Sequence, residues 1–390
     1  MATASPSKKR RVVAKPRHTR LDFHTHILPK ELPDYRAQFG YGAWVTFDHD
    51  QSKVKTKGNC RMMKAGEFFR EIEPNCWDLD ARILEMDRDN IDVQVVCTVP
   101  VMFSYWAQPE HTLKVSQFLN DDMKAQIERH PRRFIGLGTV PMNDPTLAAA
   151  ELKRCVQELG MPGVQIGSHI GEWNLDSPKL NPFWLEAEAL GAVVFVHPWG
   201  MDLGGRHEKH WLPWLVGMPY ETCHAVVCCL LGGVLQEHPK LKLCFAHGAG
   251  SFPFTIGRIE HGFNCRPDLC ATASDHPPRH YLGKFHTDSI VHDGDALRCL
   301  ISTIGAGNIV FGTDYPFPLG EVTGSAEGVY PGMYVDAADF ISEEERADIL
   351  ALNALKLLGL DPADYGPELE PKMSADDTRI EAVVGPEASL

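Results

Sequence analysis

Two histidines separated by one residue, His24 and His26, end the first apolar run of the chain. Alternate residues of a β-strand lie on the same face, so this spacing directs both imidazoles into one space. Three further polar residues, His197, His247 and Asp314, end later apolar runs in the same way. Imidazole and carboxylate groups are the ligands that zinc and other first-row divalent cations bind. We therefore predict a metal site formed by His24, His26, His197 and Asp314.

This ligand set predicts one divalent metal ion per chain, with zinc as the default. The fourth apolar run, residues 163–167, contains no lysine that could be carboxylated to bridge two metals. A bound metal lowers the pKa of its water to about 7, and a nearby imidazole can then accept or return the proton. Of the five candidate residues, His247 is the one outside the predicted ligand set. We predict that it acts as the catalytic base and not as a ligand.

These residues can meet only if the fold brings several strand ends together. Short β-branched runs alternate with helical patterns along the chain. Strands are predicted at 21–26, 93–99, 134–140, 163–167, 193–197, 241–247, 285–288 and 309–314, and helices at 80–90, 112–130, 145–159, 181–190, 221–238 and 295–305. Eight strands alternating with helices predict an α/β fold of the (β/α)₈ or TIM-barrel type, whose active site lies at the carboxyl ends of the strands. An open doubly wound sheet would give the same pattern.

The chain is predicted to form one domain, residues 21–360, flanked by two tails. A segment of about residues 30–78 follows the first strand, where barrel enzymes place active-site elaborations. Residues 1–20 carry seven Lys or Arg and no acid, which predicts a disordered basic tail; a nuclear address or a transit peptide is an alternative. Residues 361–390 are acidic and Pro-rich, which predicts a second disordered tail.

Composition excludes several classes of partner. A formal net charge of -14 argues against a nucleic-acid surface, which needs clustered Lys and Arg. The longest apolar run, near residues 225–235, is shorter than the roughly 20 residues of a membrane span, so we predict a buried helix there. Eleven cysteines without a framework spacing suit reduced thiols. We therefore predict a cytoplasmic protein that contacts neither nucleic acid nor membrane.

The chain resembles the metal-dependent decarboxylases of the amidohydrolase superfamily. The resemblance covers about residues 21–360 and rests on four strings: TVPVMFSYWA (98–107), WLPWLVGMP (211–219), PFTIGRI (253–259) and GTDYPFPLGE (312–321). It implies an amidohydrolase-like barrel and a zinc-dependent, non-oxidative removal of CO₂ from a small unsaturated dicarboxylate of tryptophan breakdown by the kynurenine route. It also implies the same four ligands and His247 as the catalytic histidine.

The resemblance further implies four substrate-binding residues. Two arginines of the family fall on Arg70 and Arg258, and in the family the second enters the active site of the neighbouring subunit of a homodimer. Guanidinium groups bind carboxylates bidentately, which suits a substrate with two carboxylates. Two aromatic pocket positions fall on Trp214 and Phe317, which would give a flat wall for a planar substrate.

Three other functions remain open at this point. A decarboxylase of a hydroxybenzoate-type aromatic acid would use the same ligands. A metal-dependent hydrolase of a lactone or amide would use the same metal and water. A barrel that keeps its ligands only for structure is the third, and the presence of His247 beside the ligand set argues against it.

Overall fold

The computed structural model describes residues 18–201, 204–206 and 209–365. The predictions for the two tails concern residues that lie mostly outside these ranges. The strands, in chain order, are β1 (Leu21–Ile27), β2 (Val45–Asp48), β3 (Cys60–Lys64), β4 (Glu67–Ile72), β5 (Val93–Thr98), β6 (Phe134–Thr139), β7 (Gly163–Gly167), β8 (His169–Ile170), β9 (Trp173–Asn174), β10 (Val193–His197), β11 (Lys242–Phe245), β12 (His286–Asp288) and β13 (Ile309–Val310).

Helices separate most of these strands. They are α1 (Tyr35–Phe39), α2 (Leu79–Asp89), α3 (Pro109–Ile127), α4 (Pro145–Gln157), α5 (Asn181–Leu190), α6 (Met218–Leu231), α7 (Val234–Glu237), α8 (Phe252–Cys265), α9 (Pro267–Cys270), α10 (Gly294–Ile304), α11 (Met333–Ala337), α12 (Glu343–Ala347) and α13 (Asn353–Leu358). Several begin at a capping carboxylate that satisfies free amide groups, as Asp144 does for α4.

Eight parallel strands form one sheet in the order β1-β5-β6-β7-β10-β11-β12-β13. The first and last strands also meet: Phe23 N donates to Phe311 O at 2.8 Å, and Asp314 N donates to His24 O at 2.8 Å. A parallel bridge joins Thr25 and Tyr315 beyond them. The sheet therefore closes on itself, and the predicted (β/α)₈ barrel is confirmed; the open doubly wound alternative is wrong.

Two of the predicted strands are shorter than expected. β11 ends at Phe245 and β13 at Val310, so His247 and Asp314 follow their strands instead of ending them. Both residues have positive φ, 55° and 61°, which extended strands do not allow. The predicted helix 221–238 is also divided into α6 and α7 at Gly232 and Gly233, and α8 was not predicted.

A β-bulge in β1 allows this strand to contribute side chains both to the apolar core and to the predicted metal site. Pairing with β5 shifts between Asp22 and Thr25, so β1 contains one more residue than its partner. Up to Phe23, which lies in the bulge, the alternate residues Leu21 and Phe23 belong to an apolar cluster formed by the barrel strands and α13. Beyond Phe23, His24 and His26 lie among the polar residues at the carboxyl end of the barrel.

The segment after β1 folds into a small antiparallel sheet. Strands β2, β3 and β4 pair in sequence order, and α1 precedes them. Its apolar face forms a separate buried cluster, in which Trp44, Cys60 and Met62 pack with Val99 and Met102 of the β5–α3 connection. The insertion is thereby fixed to the barrel beside the carboxyl ends of β1 and β5.

One helical stretch, Pro213–Leu231, is long and apolar enough to cross a membrane by length and composition alone. Its second half packs into the core through Val226, Cys229 and Leu230, which are fully buried. Core helices of globular proteins can be equally long and apolar. The burial of these three side chains explains the apolar run from which a buried helix was predicted.

Candidate metal centre

Four ligand-type side chains converge at the carboxyl end of the barrel. His24 and His26 come from β1, His197 ends β10, and Asp314 follows β13; their ligand atoms all lie within 4.8 Å of one another. The two β1 imidazoles approach through Nε2, 3.2 Å apart. Asp314 Oδ1 lies 3.0 Å from Nε2 of His26 and 3.5 Å from Nε2 of His24. The predicted set thus forms a buried His/His/His/Asp metal site.

The hydrogen bonds to the surroundings engage Nδ1 of each of the three imidazoles, so Nε2 of each ring faces the cluster. Nδ1 of His24 lies 2.7 Å from Asp288 Oδ2, and Nδ1 of His26 lies 3.1 Å from Thr98 O. Nδ1 of His197 lies 2.6 Å from the carbonyl of Pro198. An acceptor at Nδ1 keeps the proton there, so every Nε2 presents its lone pair to the centre of the cluster.

The spacing of these atoms fits a divalent cation. Donors bound tetrahedrally at roughly 2.0–2.1 Å from an ion stand about 3.3 Å apart, close to the 3.0–3.5 Å separations among His24, His26 and Asp314. Nε2 of His197 is buried and has no hydrogen-bond partner among the described residues. A buried polar atom normally has a partner, and a cation would supply one here.

The charges of the cluster also suit a cation. Burial lowers the pKa of His26 and of His197, so both imidazoles stay neutral and keep a lone pair. Burial opposes ionisation of Asp314, but the surrounding imidazoles outweigh it and hold the pKa of its carboxyl well below its usual range. The result is one fixed negative charge beside the neutral imidazoles of His26 and His197.

His247 lies next to the ligands without joining them. Its ring centroid lies 5.0 Å from that of His197 and 5.1 Å from that of His24, and its Nε2 is 3.6 Å from Asp314 Oδ2. Neither ring nitrogen has a hydrogen-bond partner among the described residues. Burial opposes protonation, but the carboxylates of Asp314 and Asp288 outweigh burial and raise the pKa of His247 above its ordinary value. The imidazole is thus placed to hold a proton beside the site.

A buried arginine that sequence reasoning missed fixes the end of β1. The Arg82 guanidinium donates to the carbonyl of His26 and, at 3.3 Å, to Thr25 Oγ1. Its central carbon also lies 4.8 Å from the ring centroid of Tyr315, the residue after Asp314. Arg82 therefore connects the end of β1 with the segment that follows β13, where the barrel closes. Nothing in the sequence of α2, an ordinary amphipathic helix, distinguishes this arginine from a surface residue.

The metal site opens into a cavity of about 1080 Å³. Its wall includes ligands, insertion residues and aromatic side chains, among them His26, Arg70, His197, Trp214, Asp314 and Phe317. Three of the predicted site residues are not in that wall: His24, His247 and Arg258, the last of which is exposed on α8. Within one chain, Arg70 and Arg258 do not share a pocket.

A β-bulge turns Arg70 toward this cavity. Met62 of β3 pairs with Arg70 of β4, and Met63 pairs with Phe68, which leaves Phe69 as an extra residue. In a regular strand Phe68 and Arg70, two residues apart, would lie on the same face, because side chains alternate along a strand. Bulges often redirect a side chain next to an active site. This one places Arg70 on the cavity side and leaves Phe68 half exposed.

Aromatic rings hold the guanidinium and form part of the wall. The central carbon of Arg70 lies 4.9 Å from the ring centroid of Phe317 and 5.0 Å from that of Phe69. Trp214 stacks on Trp211 with ring centroids 5.6 Å apart. Phe317 also lies 5.7 Å from the ring centroid of the ligand His26. The predicted aromatic positions are therefore found in the wall of the cavity, next to the metal site and Arg70.

At the end of β7 the space for a side chain is already filled. A Cβ added at Gly167 would lie 2.7 Å from indole atoms of Trp199 and 3.1 Å from the ring of Tyr105. The Trp199 indole N–H donates to His169 O at 2.8 Å and is held in that place. In the described ranges the four-residue cluster is the one group of His, Cys, Asp and Glu side chains placed to hold a metal ion.

Comparison with known proteins agrees with this geometry. The amidohydrolase family model matches residues 21–360. The chain is 52% identical to a 2-amino-3-carboxymuconate-6-semialdehyde decarboxylase of Dictyostelium discoideum, over 90% of this chain and 94% of that protein. It is 41% identical to a protein of the same name from Caenorhabditis elegans, over 88% and 94%. A dihydroxybenzoic acid decarboxylase from Polaromonas, solved with bound manganese and the inhibitor 2-nitroresorcinol, superposes with a TM-score of 0.69 at 22% identity, over 88% and 97%.

Proposed function

The chain belongs to the amidohydrolase family, and we propose that it is a carboxy-lyase that converts 2-amino-3-carboxymuconate 6-semialdehyde to 2-aminomuconate 6-semialdehyde and CO₂ in the kynurenine route of tryptophan breakdown. The observation that carries the proposal is a buried metal site opening into a cavity that also holds Arg70, in a chain 52% and 41% identical to two decarboxylases of this substrate. A hydroxybenzoate needs to carry only one carboxylate and a lactone or amide none, whereas the proposed substrate carries two, so the Arg70 guanidinium beside the metal site favours the proposed substrate.

We propose zinc as the metal, held by His24, His26, His197 and Asp314. Three imidazoles and one carboxylate form a mixed nitrogen and oxygen set that suits zinc, although the Polaromonas structure contains manganese. When bound, the ion supplies Lewis acidity, which makes a coordinated water acidic enough to ionise near neutral pH. Metal analysis of the purified protein will identify the ion.

The residues around the site have separate tasks in the reaction. The Arg70 fork binds one carboxylate of the substrate and fixes its plane, with Trp214 and Phe317 as flat contacts. Breaking the bond to CO₂ leaves an electron pair on carbon, and a proton must replace the lost carboxylate. His247, whose pKa is raised by Asp314 and Asp288, holds and returns protons beside the ligands.

We propose that the active enzyme is a homodimer in which Arg258 completes the site of the partner subunit. Arg258 and Phe254 lie four residues apart on α8, so they share one face of that helix. Phe254 is 87% exposed, and further large apolar side chains are exposed just before and at the start of α6, which contacts α8: Trp211, Leu215, Val216 and Tyr220. Covering this apolar surface with a second copy would carry Arg258 across the interface.

A subunit-mixing experiment tests the shared site. Arg70→Ala and Arg258→Ala homodimers should each be nearly inactive, because one carboxylate of the substrate loses its partner. After random exchange, half of the dimers are mixed, and each mixed dimer contains one site with both arginines. Activity should therefore return to roughly a quarter of wild type.

The control for that experiment is the composition of the mixture. Native mass spectrometry must show mixed dimers before activity is interpreted. If mixed dimers form and activity stays at the level of the two parent variants, Arg258 serves its own chain and the shared site is excluded. Arg70→Lys and Arg258→Lys provide a further comparison, since lysine keeps the charge and loses the fork.

The activity itself can be tested directly with the semialdehyde. Purified protein is incubated with freshly generated substrate while the visible absorbance of the substrate and the release of CO₂ are followed together. Stoichiometric CO₂ with accelerated loss of absorbance is the expected result. Loss of absorbance at the rate of spontaneous cyclisation, or CO₂ release only from a dihydroxybenzoate, would exclude this substrate.

We also propose a cytoplasmic location. All eleven cysteines lie in the described ranges, and each is a free thiol. Several of these thiols are fully buried in the core, including Cys97, Cys229 and Cys244, where burial raises the pKa well above its ordinary value. Reduced, buried thiols are typical of proteins in a reducing compartment.

A further inference from the structure

Asp288 is a fully buried carboxylate at the end of β12 that no ligand or base assignment uses. It accepts four hydrogen bonds, shared equally between its two oxygens. Oδ2 accepts from Nδ1 of His24 at 2.7 Å and from the backbone N–H of His247 at 2.8 Å. Oδ1 accepts from the backbone N–H of Gly248 at 2.8 Å and of Ile290 at 3.1 Å.

These bonds connect two functional groups through one atom. The same oxygen holds the ring of a metal ligand and the backbone that carries the base. The backbone from His247 to Gly250 has positive φ at four successive residues, a conformation that costs energy for residues other than glycine. Such a turn persists only where surrounding contacts hold it. The Asp288 carboxylate provides two of these contacts, because it accepts hydrogen bonds from the backbone N–H groups of His247 and Gly248.

Two glycines, Gly312 and Gly248, lie where the chain packs closely around Asp288. A Cβ added at Gly312 would lie 2.9 Å from Cβ of His24 and 3.1 Å from Cβ of Asp288, so the segment that follows β13 must present a glycine beside this pair. At Gly248, with φ of 59°, an added Cβ would lie 2.6 Å from Val291. Both glycines permit the close approach that the four hydrogen bonds require.

We propose that Asp288 is a positioning residue that holds the metal ligand His24 and the base His247 in one fixed relation. Its carboxylate keeps the His24 proton on Nδ1 and thereby directs Nε2 to the metal. Its bonds to the turn set the distance of the His247 ring from the ligands. The expected effect on turnover rests on the proposed decarboxylation, whereas the expected effect on metal binding does not.

The test substitutes Asp288→Asn and measures metal binding, turnover and unfolding separately. An amide keeps the size of the side chain but offers one acceptor atom, so its NH₂ group faces either the His24 and His247 donors or the backbone N–H groups of Gly248 and Ile290. The apparent dissociation constant for zinc, measured by chelator competition, should rise roughly 10- to 100-fold. At saturating zinc, kcat should still fall while KM changes little, because the base is displaced and the substrate contacts are not.

Glu151→Gln is the matched control. Glu151 is also buried and accepts from Asn120 at 2.7 Å and from Arg154 at 2.8 Å, but it lies on α4 outside the site. This variant should lose thermal stability and keep wild-type zinc affinity and kcat. If Asp288→Asn behaves in the same way, Asp288 is only structural and the proposal is overturned.

A second variant covers the case in which Asp288→Asn does not fold. Gly312→Ala forces apart the His24 and Asp288 side chains while keeping the carboxylate. Reduced zinc affinity in this variant is expected, and wild-type affinity would overturn the positioning of His24. Because chelator competition needs no substrate, failure of the proposed reaction and failure of this inference give different results.

Discussion

Replacing His197 with alanine is expected to abolish metal binding and, with it, activity. The substitution removes the one ligand imidazole contributed by β10 and leaves a gap opposite the two histidines of β1. A catalytic metal supplies several kcal/mol of charge stabilisation, so turnover without added metal should fall by at least about 10³-fold. Elemental analysis after dialysis should show metal far below one ion per chain.

His238→Ala is the matched control for that variant. His238 is similarly buried, but its Nε2 lies 2.9 Å from Asn181 Oδ1, away from the site. Its removal should lower stability and leave the metal content at one ion per chain. Full metal content in His197→Ala would remove His197 from the ligand set.

His247→Ala is expected to separate metal binding from catalysis. The ring lies outside the ligand cluster, so bound metal should remain close to one ion per chain. Turnover should fall by roughly 10²-fold or more, which is the usual contribution of a positioned proton-transfer group. Metal content and kcat are measured on the same preparation.

Backbone conformation requires a second variant at this position. His247 has φ of 55°, a region that asparagine tolerates better than alanine. His247→Asn should therefore be as inactive as His247→Ala but more stable to heat. Loss of metal in both variants would make His247 a fifth ligand, whereas near wild-type turnover in His247→Asn would show that another group transfers the proton.

The ligands were predictable because each follows a buried apolar run. Period-two alternation placed His24 and His26 on one face, and the barrel brings all strand ends to one mouth. The β-bulges were not predictable, because an extra residue in one strand has no signature in apolar alternation. The direction of Arg70 depends on such a bulge, and its site role came only from resemblance.

Other parts of the site depend on contacts between distant segments. Asp288 ended a predicted strand, the same signal that identified the ligands, but sequence alone does not tell a carboxylate that binds a cation from one that supports a ligand. Arg82 lies 57 positions from Thr25 and meets the end of β1 only after the barrel closes. α8 was not predicted, so the relation of Arg258 to the exposed Phe254 became visible only on the helix.

The indole that occupies the end of β7 has an evolutionary consequence. A lysine at position 167 could not project into the site while Trp199 keeps its place, because the first side-chain carbon would already overlap the ring. Acquiring a bridging ligand for a second ion would need at least two coordinated substitutions, at positions 167 and 199. A substitution at position 167 alone would displace the Trp199 ring, which stacks on His169, so this single variant would be destabilised. A single mutation at position 167 would therefore not bring a lysine ligand for a second ion into the site.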